Sequence, residues 1–64
     1  MTVVDLVSRL QESEQRADAI ARVLGYVVMI QRLGWDGMPI SRSSKWKIEK
    51  MFKLLGVDPH SVEL

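Results

Sequence analysis

At 64 residues the chain holds one domain at most, and a domain of this size buries only about 60% of its unfolded surface. It has no Cys and a single His, which excludes disulfides, thiolate zinc sites and a metal centre built from imidazoles alone. The hydrophobic fraction of 47% and charged fraction of 27% describe a globular chain, and a net charge of +1 selects neither a nucleic-acid binder nor an acidic mimic.

The first element is helical. Thr2 stands as an N-cap with Asp5 three residues on, an acidic version of the capping-box spacing at the positive end of the helix dipole. From there to about residue 33 no Pro intervenes, and one apolar stripe recurs at alternating steps of three and four: Val3, Leu6, Leu10, Ser13, Ala17, Ile20, Leu24 and Val27. Polar residues fill the other face, with Glu12 and Arg16, and Asp18 and Arg22, at supportive i, i+4 spacing. A helix of about 31 residues would run ~46 Å, whereas a second helix of about 11 residues covers ~16 Å. The stripe is therefore expected to be a dimer seam, with the small residues Ser13 and Ala17 at a close antiparallel crossing. The expected fold is all-α, a long helix plus a short one forming a helical hairpin that pairs into a four-helix assembly.

Gly25 is the weak point of that helix, because an interior Gly costs about 1 kcal/mol relative to Ala. The β-branched and aromatic run at 26–30 and the turn pair Asp36-Gly37 support an alternative α+β reading, with a short hairpin at 26–41. Against the hairpin, the run does not alternate and Pro39 falls within the return strand. Gly34, Gly37 and Pro39 mark residues 34–40 as the connection. Ser43 or Ser44 then caps a helix reaching Leu55, with Ile48, Met51, Phe52 and Leu55 facing inward. Gly56 reads as a left-handed C′ residue closed by Val57, and Asp58-Pro59 as the cap and first position of a last turn. The stretch KIEKMFKLLGVDPHSVEL, residues 47–64, resembles the closing part of repressor-type helix-turn-helix domains, where a helix ends in Leu-Gly-Val and a capped turn follows. The resemblance spans little more than a quarter of the chain and lies outside the part of such domains that reads DNA.

Charge is distributed unevenly. Residues 42–53 carry Arg42, Lys45, Lys47, Lys50 and Lys53 against Glu49 alone, while the first 33 residues balance at four against four. Ser41, Ser43 and Ser44 with Arg42 and Lys45 form a helix start suited to a phosphate or carboxylate. Lys45 and Lys47 lie about 200° apart on a helix, and Lys45, Lys47, Lys50 and Lys53 are not the Arg, Asn and Gln preferred for base edges, so phosphate contact would be nonspecific. Trp35 and Trp46 flank this segment, and an exposed Trp is a typical interaction hot spot. Ser44 and Lys47 match a Ser-x-x-Lys spacing without a walled pocket to serve it, His60 has no nucleophile to activate, and Met29, Met38 and Met51 read as core fillers.

The sequence thus predicts a single interaction domain over residues 1–64, not an enzyme, needing no cofactor or metal. The expected function is that of a small homodimeric helical regulator, an adaptor, inhibitor or anti-activator of the phage or plasmid accessory type, that binds another protein. The expected dimer interface is Val3, Leu6, Leu10, Ser13, Ala17, Ile20, Leu24 and Val27. The expected partner-binding set is Trp35, Arg42, Lys45, Trp46, Lys50 and Lys53. The alternative is a dimeric nucleic-acid binder using the basic helix 42–53. The longest apolar run is far below the ~20 residues that span a bilayer, so a cytoplasmic protein without membrane association is expected.

Overall fold

The computed structural model describes residues 1–13 and 16–64. Helices α1 (Val3–Glu12), α2 (Ala17–Gly37) and α3 (Arg42–Leu55) are followed by a 3₁₀ turn at Pro59–Ser61. The architecture is all-α; among the described residues the one extended pairing is an isolated parallel bridge between Thr2 and Glu63.

α1 begins as its sequence requires. The Thr2 hydroxyl accepts from the Asp5 N–H at 3.2 Å, and the Asp5 carboxylate accepts from the Thr2 N–H at 3.1 Å, which closes the capping box. The bond from the Thr2 N–H, with the Thr2 hydroxyl beside it, holds the Asp5 carboxyl below its usual range, because the ionised form is the better acceptor. The helix does not continue to residue 33, which corrects the single long rod expected from the stripe. α1 stops at Glu12, Ser13 takes the C-cap, and α2 starts after an extended Arg16. The Ser13 N–H bonds back to the Arg9 and Leu10 carbonyls, and its hydroxyl donates to the Arg9 carbonyl at 3.3 Å. Side-chain competition of this kind is why Ser favours helix ends over helix interiors. The molecule measures 30 × 21 × 19 Å, shorter in every direction than the ~46 Å rod.

The break lets the stripe fold onto itself. Leu6 and Leu10 of α1 meet Val23, Val27 and Ile30 of α2, and with Met38, Ile48, Phe52, Val57 and Val62 they form one core. Leu6 and Val27 are 0% exposed and Leu10 1%. α2 runs without interruption through Gly25 and the 26–30 segment, so neither a stop at Gly25 nor the hairpin at 26–41 is adopted. The chain turns instead at Gly34, whose φ of 73° and ψ of 167° lie in a region that only Gly enters cheaply. Trp35 follows this kink.

α3 is capped by Ser41, two or three residues ahead of the expected Ser43 or Ser44. Its far end is a Schellman closure: the Val57 N–H bonds to the Phe52 carbonyl at 3.0 Å and the Gly56 N–H to the Lys53 carbonyl at 3.1 Å, with Gly56 left-handed at φ 68°. The Arg9 guanidinium reaches across from α1 to the Leu55 and Gly56 carbonyls at 3.2 and 3.3 Å, placing a cation on the negative end of α3. Asp58 caps the closing 3₁₀ turn through the His60 N–H. That turn is clasped from two sides. Gln31 of α2 donates to the Pro59 and Val62 carbonyls at 2.9 and 2.7 Å, while the Met1 amine donates to the Ser61 carbonyl and the Met1 carbonyl accepts from the Glu63 N–H. Among the described residues no helix is long and apolar enough to cross a membrane.

Candidate interaction face on α3

Ile48 and Phe52 are the residues α3 commits fully to the core, with Met51 and Leu55 at its margin. At about 100° per residue, Trp46 stands some 160° from Ile48 and 120° from Phe52, on the side of the helix turned away from the molecule. Its indole is 61% exposed, and Leu54, two turns further along the same side, is 80% exposed. Neither residue contributes to closing the core. The Lys50 ammonium lies over the Trp46 ring at 5.3 Å from its centroid, a cation–π contact that orients both side chains.

A cleft of about 420 Å³ opens on one flank of Trp46, lined by Trp35, Asp36, Arg42, Lys45, Trp46 and Glu49. Its α3 residues follow the i, i+3, i+4, i+7 spacing of a single helical face. Its opposite wall, Trp35 and Asp36, arrives through the turn at Gly34. The structure therefore brings four of the six residues expected to bind a partner into one cleft: Trp35, Arg42, Lys45 and Trp46. Lys50 and Lys53 lie beside it in a smaller hollow, of about 260 Å³, shared with Trp46 and Glu49. Lys53 also pairs with Glu49 at 3.6 Å, an exposed i, i+4 contact of a few tenths of a kcal/mol.

The electrostatics of this cleft differ from the expectation. The sequence shows a basic run, but Asp36 and Glu49 set two acids against Arg42 and Lys45, so the cleft is mixed and nearly neutral. The serines expected to cradle an anion are engaged with one another: the Ser41 hydroxyl lies 3.0 Å from that of Ser44 and 3.2 Å from that of Ser43, and it accepts the Ser44 N–H.

On the other flank a groove of about 500 Å³ runs along α3 between Trp46, Lys47, Lys50, Met51, Leu54 and Leu55. Periodicity assigns Met51 and Leu55 to the inward face and does not group them with Lys47 and Leu54. The signal was present, since Leu54 falls off the inward periodicity and is an unexplained large apolar residue on an otherwise polar face.

The residues expected at the dimer seam are dispersed. Leu6, Leu10 and Val27 are buried within the chain, Val3, Ile20 and Leu24 pack half-buried against the core, and Ser13 and Ala17 are exposed on either side of the break. Comparison with protein-family models, with curated proteins and with solved structures finds no match.

Proposed function

We propose that this chain is a protein-binding module that docks onto another protein through the outer face of α3, with Trp46 as its central anchor. The observation that carries this reading is the pairing of an exposed indole with an exposed Leu54 on a helix whose core duties are already met by Ile48 and Phe52. Trp and Arg dominate protein-binding hot spots, and Trp46 stands with Trp35 and Arg42 at the mouth of one cleft. The balanced charges of that cleft favour a protein surface over a polyphosphate backbone, which would meet repulsion from Asp36 and Glu49.

The test is affinity capture from a native, nuclease-treated lysate with the wild-type chain and with Trp46→Ala. The wild type retains a partner and the variant loses it, with binding weakened at least about thirtyfold for a hot spot worth about 2 kcal/mol or more. Retention unchanged by Trp46→Ala, or capture that vanishes with nuclease and falls steeply with salt, contradicts the proposal.

A further inference from the structure

The two flanks of Trp46 are not equivalent. The cleft on the Trp35 side holds two acids, whereas Lys47 and Lys50 are the ionisable residues lining the groove on the Leu54 side. That groove lies between two i, i+4 rows of α3, Trp46–Lys50–Leu54 and Lys47–Met51–Leu55. Rows at this spacing form the ridges of a helix surface, and the trough between them accepts a matching ridge from a second helix crossing at about 50°. From residue 46 to residue 55 the trough extends ~14 Å, two and a half turns, enough to seat anchors at i, i+3 or i+4, and i+7. Met51, Leu54 and Leu55 supply its aliphatic lining, and an adaptable Met suits a surface that takes an inserted side chain.

We infer that this groove receives an amphipathic helix of the partner protein whose apolar ridge is flanked by Asp or Glu. The assignment rests on the docking reading above and adds the partner's chemistry to it. Charge complementarity selects the occupant: acidic flanks meet Lys47 and Lys50, while a basic helix meets repulsion with no acid lining the groove to relieve it. The same repulsion disfavours a second copy of this chain, because a two-fold axis through the middle of this groove, beside residue 50, brings the two copies of Lys50 together. A nucleic-acid strand would satisfy the lysines but leave Met51, Leu54 and Leu55 against a charged backbone.

The experiment is a titration of the isotope-labelled full chain, followed by amide chemical shifts. The probes are a synthetic peptide of about 16 residues, with Leu at helical spacing flanked by Glu, the same peptide with every Glu replaced by Lys, and a thymidine oligonucleotide. The acidic peptide is expected to shift Lys47, Met51, Leu54 and Leu55 while Asp36 and Arg42 stay in place. Its binding should weaken at least about tenfold for the Lys peptide, for the double variant Lys47→Glu, Lys50→Glu and for Leu54→Ser, a loss of about 1.4 kcal/mol or more each. Circular dichroism of these exposed-site variants should match the wild type. Four results overturn the inference: no shift with the acidic peptide at millimolar concentration, equal binding of the Lys peptide, the oligonucleotide alone moving these amides, or concentration-dependent shifts without peptide. The docking reading fails separately, through partner capture that Trp46→Ala leaves unchanged; capture lost in that variant while the peptide does not bind removes this inference alone.

Discussion

The apolar stripe of α1 and α2 and the apolar residues on the outside of α3 make opposite uses of the same material. Along the stripe, the residues recur with coiled-coil regularity, yet Leu6, Leu10 and Val27 end inside the chain because a break after Glu12 folds one half of the stripe onto the other. On α3, Trp46 and Leu54 belong to no long repeat and remain in water. Regular hydrophobic spacing states which residues need cover but not where the cover comes from. Irregular apolar residues left over after the core is closed are the better guide to an outside partner.

Several changes would break or sharpen that contrast. The largest effect is expected at Leu10: its truncation to Ala should cost about 2–5 kcal/mol, whereas Leu54→Ala should stay within about 0.5 kcal/mol of wild type in urea denaturation. Equal costs would erase the distinction between inside and outside. Next come two glycines of α2. Gly34→Ala forces a Cβ into backbone of φ 73° and ψ 167° and should cost about 1–3 kcal/mol, while Gly25→Ala, with nothing within 4 Å of the added carbon, should gain about 0.5–1 kcal/mol. Thermal melts of the two variants moving in opposite directions would show that the turn lies at Gly34 and that α2 is continuous through Gly25.

Gln31→Ala removes the donor shared by the Pro59 and Val62 carbonyls and should cost about 1–3 kcal/mol, with faster hydrogen exchange in the 3₁₀ turn while α1 exchange changes less. The smallest effect is at Asp5. Its folded pKa is lowered by the Thr2 bonds, so its contribution is fully present above the unfolded value of about 3.9 and is lost as pH falls through the folded value. Melting curves of wild type and Asp5→Asn should therefore separate above about pH 4 and converge on further acidification.

Much of the local structure was legible because it is set by short-range chemistry. The Thr2–Asp5 box, the left-handed Gly56 with Val57 closing it, and Asp58-Pro59 opening a last turn each depend on a few neighbouring residues, and each appears as expected. The break between α1 and α2 was hidden, since Ser13 and Ala17 sit at register positions and no Gly or Pro marks the place. The hydroxyl bond from Ser13 to Arg9 is worth little alone; what favours the break is the burial it allows between Leu6, Leu10 and α2. The convergence of Trp35, Arg42, Lys45 and Trp46 was partly legible, as three of them share one face of α3. Asp36 is not legible there, because its entry into the cleft depends on the direction the chain takes after Gly34, whereas Glu49 shares the helical face of Arg42, Lys45 and Trp46.

Sedimentation equilibrium from low to high micromolar concentration, read together with helicity, tests most directly whether a single chain closes its own core and leaves the α3 face to others. The account predicts a folded, helical species at the chain mass of 7.3 kDa across the range. A species of twice that mass that loses its helicity as it dissociates would contradict it, and would return Leu6, Leu10 and Val27 to an interface between chains.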